Sequence, residues 1–99
     1  MIARHWKGLV KKDRAADYIS HLRNETFVKL KSLEGFVKAI ILSRETDDGV
    51  EFMVITEWQS IESVKLFAGE SYEQAVVPTD AQQMMVSFDN FVTHYEITD

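Results

Sequence analysis

Two strand-like runs, Phe36–Arg44 and Val50–Trp58, joined by Glu45-Thr46-Asp47-Asp48-Gly49, constrain this chain more than any other feature. The Asp-Gly step is a hairpin signal. Both runs carry nearly continuous apolar stretches, Val37-Lys38-Ala39-Ile40-Ile41-Leu42 and Phe52-Met53-Val54-Ile55, where a strand with one wet face would alternate. Both faces of the hairpin therefore need cover. A chain of 99 residues supports one core, and two helices cover only one side of a small antiparallel sheet. The other side calls for a second subunit, so the pattern predicts a homodimer formed by packing sheet on sheet.

The rest of the chain supplies the helices and the edge strands. Ile2–Val10 reads as a first strand, ended by Lys11-Lys12-Asp13. From Asp13, a plausible N-cap, Ala15, Ile19, Leu22, Thr26, Leu30 and Leu33 recur at three- and four-residue steps, and Gly35 stands where a left-handed C-terminal residue favours glycine. Ser60 caps a second helix whose buried stripe is Ile61, Val64, Phe67 and Ala68, with Gly69 after it. Ser71–Val77 is expected to add another helical turn, Pro78 to break it, and Thr79-Asp80 to restart a helix through Met84. Phe88–Ile97 is the last strand, with His94 on the face opposite Thr93 and Tyr95. The order is βαββαβ over residues 1–99: one α+β domain, ferredoxin-like, with an antiparallel sheet and helices on one face.

Composition removes several function classes. Without cysteine there are no disulfides, thiolate metal sites, iron–sulfur clusters or cysteine nucleophiles. A net charge of −5 repels a phosphate backbone, and Arg23, Lys29 and Lys31 read as a solvated helix face, so nucleic acid is not an expected partner. No apolar run approaches the roughly 20 residues that cross a bilayer, so no membrane partner is expected. The amino terminus enters a strand without a secretory pattern, which makes the cytoplasm the expected compartment.

Leu33-Glu34-Gly35-Phe36, Ile55-Thr56-Glu57-Trp58-Gln59-Ser60 and Val92-Thr93-His94-Tyr95-Glu96, in this order and spacing, resemble the antibiotic biosynthesis monooxygenase family of dimeric α+β barrels. The resemblance spans nearly the whole chain. It implies a dimeric barrel with a small cavity between sheet and helices of each subunit, and in some relatives a cofactor-free oxidation of aromatic molecules by oxygen. It also implies what is missing. The haem-cleaving branch uses an Asn on the first strand, a Trp on the second helix and a His shortly after it. Here the first strand has no Asn, Phe67 stands in the Trp region, and Ala75-Val76-Val77-Pro78 contains no histidine. No haem or other cofactor is expected.

Within this frame, His94 is the first candidate general base, because an imidazole facing a cavity can take a proton from a phenol near neutral pH. Tyr72 is a candidate donor to a substrate oxygen. Arg4 is a candidate for stabilising a substrate anion, although a salt bridge to Glu57 or Glu96 on neighbouring strands is the simpler reading. Trp6, Phe67 and Trp58 are candidates for stacking on a planar ligand, against a plain packing role. His5, His94 and Glu96 lack any ligand-spacing motif, so no metal site is expected. The reading is a cofactor-independent monooxygenase acting on a small planar phenolic or quinone-like molecule. The alternative is a non-enzymatic dimeric barrel that binds an apolar ligand or has a structural or regulatory role.

Overall fold

A computed structural model describes residues Met1–Asp99. Five strands form one sheet. Strands β1 (Ile2–Val10), β2 (Phe36–Thr46) and β3 (Gly49–Trp58) lie in the order β2-β3-β1, and β4 (Met85–Phe88) and β5 (Thr93–Glu96) both pair with the free edge of β1. All pairings are antiparallel. This strand order, with helices on one face, is ferredoxin-like.

The last strand differs from its expected form. It is interrupted at residues 89–92, so that β4 pairs with the end of β1 (Gly8 with Phe88) and β5 with its beginning (Arg4 with His94). The interruption is anchored by the Asp89 amide, which donates to the Lys7 carbonyl, and by the Asp89 carbonyl, which accepts from Trp6 Nε1 at 2.9 Å. Ser71–Val77 is likewise not helical: it forms turns and one bridge, Gln74 with Phe91. In the hairpin, the tight connection is Asp47-Asp48, and Gly49 already pairs with Thr46. Glycine is needed at 49 because a β-carbon there would run into the Val10 carbonyl oxygen.

The helical layer consists of α1 (Ala15–His21), a π-helical turn (Leu22–Thr26), α2 (Phe27–Lys31), α3 (Ile61–Ala68) and the short α4 (Thr79–Gln82). Asp13 lies in a 3-10 turn ahead of α1 and does not cap it. Ser60 does cap α3, its Oγ accepting from the Ser63 amide at 3.2 Å. The π turn widens the helix locally, so one helical period does not run unbroken from α1 into α2. Tyr18, His21, Leu22 and Leu30 are buried, while Ala15, Ile19 and Leu33 are only half-buried. No helix is long and apolar enough to cross a membrane.

Strand register decides which side chains meet the helices. The pairs Arg4–Thr56, Trp6–Val54, Gly8–Phe52 and Val10–Val50 put even-numbered residues of β1 and β3 on the inner face. There Val10, Val50 and Phe52 pack with Tyr18, Leu22, Ala81 and Met85 into one core cluster. Burying Phe52 alone is worth about 1.5–3 kcal/mol. A second cluster, Leu30, Trp58 and Val64, is completed by Phe36, Phe67 and Tyr72.

Candidate functional site

Between the two clusters, where sheet and helices do not fully close, lies a mainly apolar cavity. Arg4, Trp6, Val54 and Thr56 form its floor on the sheet. Tyr18, His21, Leu22, Phe27 and Leu30 form its roof, and Phe67, Val76, Val77 and Pro78 close the sides. The exposed Val76 and Pro78 mark its mouth. The space available to the centres of water-sized groups is about 70 Å³, where one water needs roughly 10–15 Å³. That is room for a small group, and the cavity opens to solvent at its mouth.

Arg4 is the most buried charge in the molecule, 5% exposed. It has no carboxylate partner, so the expected bridge to Glu57 or Glu96 is absent. Its Nη1 donates to the Tyr72 carbonyl at 2.6 Å and to His94 Nε2 at 3.0 Å, and Nη2 donates to the Gln74 carbonyl at 3.1 Å. The guanidinium also lies 5.8 Å from the centre of the Phe67 ring. A guanidinium carries about five N–H donors, so these contacts leave donor capacity on a side chain that also lines the cavity. Burial lowers its pKa to about 10, still charged at neutral pH.

His94 is brought to Arg4 but does not line the cavity. Arginine cannot accept a hydrogen bond, so His94 Nε2 is the acceptor and its proton sits on Nδ1. Its pKa is pulled below 6.5 by burial and by the Arg4 charge, with Glu73 opposing. Tyr72 contributes its backbone: its carbonyl holds Arg4, and its ring packs edge-on against His94 with centroids 5.5 Å apart. It too is outside the cavity lining. Trp6 and Phe67 do line the cavity. Trp58 does not. It is fully buried, stacked on Phe67, and its Nε1 donates to Thr56 Oγ1 at 2.9 Å, so the ligand-stacking role expected for it is replaced by a core role.

Sequence reasoning missed a second polar group at the cavity. His21 is 6% exposed and lies on the roof. Its Nδ1 is 3.0 Å from Glu25 Oε2 and 3.7 Å from Asp80 Oδ2, both on exposed side chains. Its Nε2 is buried and has no hydrogen-bonding partner in the protein. The available signal was a histidine three residues after a tyrosine and four before a glutamate, the spacing at which helical side chains meet. The trio could also be read as metal ligands. An imidazole N–H donated to a carboxylate accounts for the same distances.

The fold and this cavity define a class: a ferredoxin-like α+β domain with a small, largely apolar site between its sheet and its helices. Within it, the chain is similar to a crystal structure from Bacillus cereus of a protein provisionally described as an antibiotic biosynthesis monooxygenase. The match has 17% sequence identity and a TM-score of 0.69, and covers 100% of this chain and 93% of the other. That likeness establishes a shared fold. No protein-family model and no curated protein sequence matches the chain.

Proposed function

We propose that the chain is a cofactor-independent monooxygenase for a small phenol of the hydroquinone class. The observation that carries this reading is a small apolar cavity with the buried Arg4 guanidinium in its floor. A phenol that gives up its proton becomes electron-rich enough to reduce oxygen, and a desolvated cation beside it favours the phenolate. Arg4 supplies that cation, while Trp6 and Phe67 exclude water. The chemistry balances without an external reductant: a hydroquinone and one O₂ give a hydroxyquinone and water, all electrons coming from the substrate. The fold shared with the Bacillus cereus protein supports the reading in outline.

The second reading, a binding module without chemistry, is favoured by one specific observation. Arg4 and His94 are tied to each other and to the Tyr72–Gln74 turn, as structural groups would be. Oxygen consumption with one-ring hydroquinones, together with incorporation of labelled oxygen, separates the two. The enzyme reading expects one O₂ consumed per hydroquinone at a rate above the uncatalysed one, abolished by Val54→Phe, which fills the cavity from the sheet. Binding without oxygen uptake would leave the module.

We further propose a homodimer formed through the outer sheet face. Residues Ile40, Leu42, Met53, Ile55 and Tyr95 lie on that face by register. Leu42 and Tyr95 are 49% and 55% exposed in the single chain.

A further inference from the structure

We infer that His21, rather than His94, is the proton acceptor of the cavity: its Nε2 receives the hydroxyl hydrogen of a bound phenol while Glu25 holds Nδ1–H. This rests on the reading of the cavity as a phenol site.

The tautomer of His21 follows from its neighbour. A carboxylate can only accept, so the nitrogen facing Glu25 Oε2 at 3.0 Å carries a proton. In the neutral ring, the lone pair then belongs to Nε2. That atom is buried without a protein partner, in a residue that lines an apolar cavity. An acceptor in this position is unusual, because buried polar atoms are nearly always hydrogen-bonded. A ligand hydroxyl satisfies it. Glu25 and Asp80 face Nδ1, no Lys or Arg pairs with the ring, and Tyr18 stacks beside it with centroids 6.3 Å apart. When the phenol O–H bond breaks, its proton moves to Nε2 and the electron pair stays on oxygen. The resulting imidazolium is held by Glu25, and the phenolate shares the cavity with Arg4. An imidazole aligned by a carboxylate, with a buried unpartnered nitrogen in a residue that lines the cavity, is the arrangement a general base requires. By contrast, the lone pair of His94 is already occupied by Arg4. Glu25 acts through the imidazole and is a positioning residue.

The probe pair is 4-nitrophenol, whose phenolate has its own absorbance band, and nitrobenzene, which has the same ring without a hydroxyl. Wild-type protein is expected to bind both by calorimetry and to shift 4-nitrophenol toward its phenolate band. His21→Leu should lose the shift and bind 4-nitrophenol about tenfold more weakly, with nitrobenzene unchanged. Glu25→Gln keeps an acceptor for Nδ1 and should lower the phenolate fraction alone. If His21→Leu does not fold, nitrogen-15 NMR of the wild-type imidazole serves in its place: Nε2 should move toward the protonated position with 4-nitrophenol and stay still with nitrobenzene. Binding of both probes with an unchanged shift in His21→Leu, or an unmoved Nε2 signal, overturns the assignment and leaves the phenol site standing. If neither probe binds, the phenol site falls, and the role of His21 with it.

Discussion

Arg4 joins elements that the chain otherwise connects only through distant turns. By donating to the Tyr72 and Gln74 carbonyls and to His94, it fastens the turn after α3 to β1 and β5. Replacing it with methionine keeps the length and the apolar stem but leaves two carbonyls without their donor, at about 1–3 kcal/mol for each group that stays buried. Arg4→Met should therefore lower the urea midpoint clearly, and Arg4→Lys should recover only part, because an ammonium cannot reproduce the planar fork. A wild-type midpoint in Arg4→Met would show that the lashing is idle. His94 carries a pH consequence of the same contact. Burial first, then the Arg4 charge, lower its folded pKa below the ordinary 6.5, so the unfolded chain takes up a proton more readily. Its contribution to stability is complete above pH 6.5 and is lost as the pH falls below that value toward the folded pKa. His94→Gln retains an acceptor for Arg4 and removes the titration. Denaturation midpoints of wild type should therefore fall relative to His94→Gln on acidification below pH 6.5, and parallel curves would contradict the shift.

At the scale of elements, the glycines that end the helices make separable predictions. Gly35 has φ of +88°, and a β-carbon there would strike the Ser63 side chain at the start of α3. Gly69 has a similar φ of +80° but open space around it. Gly69, with ψ of −169°, sits in a backbone region open essentially to glycine, so Gly69→Ala should cost about 1–3 kcal/mol for the backbone alone, and Gly35→Ala should add to its own backbone cost the collision with Ser63. Equal losses by chemical denaturation would remove the packing argument. These two positions were readable in the sequence, as were the hairpin, the Ser60 cap and β1, because each depends on local residue chemistry. The break between β4 and β5 was not readable: it depends on Trp6 and Lys7 meeting Asp89 across the sheet. The histidine at the site was hidden because an apolar stripe selects Ala15 and Ile19, whereas the helix ahead of the π turn is rotated so that Tyr18, His21 and Leu22, at equally regular spacing, are the buried residues. Arg4, Trp6 and Phe67 could be found from strand alternation and helix stripe. Trp58 could not be told apart from them, since inner-face residues of one strand differ in whether a helix seals them.

For the whole molecule, the decisive question is what covers the outer face of the sheet. On the inner face, β3 buries Val50, Phe52, Thr56 and Trp58, while β2 buries no residue. On the outer face, register sets Ile40 against Ile55 and Leu42 against Met53, with His5 beside Ile55 and Tyr95 edge-on to His5 at 4.9 Å. Ion pairs border this apolar strip: Lys38 with Glu57 at one end and Arg44 with Glu51 at the other. An apolar centre with a charged rim is the composition of a subunit interface. A two-fold axis through the strip would let each sheet cover the other, which a self-complementary patch requires. If so, Leu42→Glu places a carboxylate in that interface twice per dimer, once from each subunit. In a lone chain the same change would fall on a residue already half in water and alter stability little. Light scattering coupled to size exclusion at low micromolar concentration should give twice the chain mass for wild type and the chain mass for Leu42→Glu, with its circular dichroism unchanged. A wild-type monomer with a cooperative unfolding transition would refute the dimer, and the apolar strip would then require a different partner.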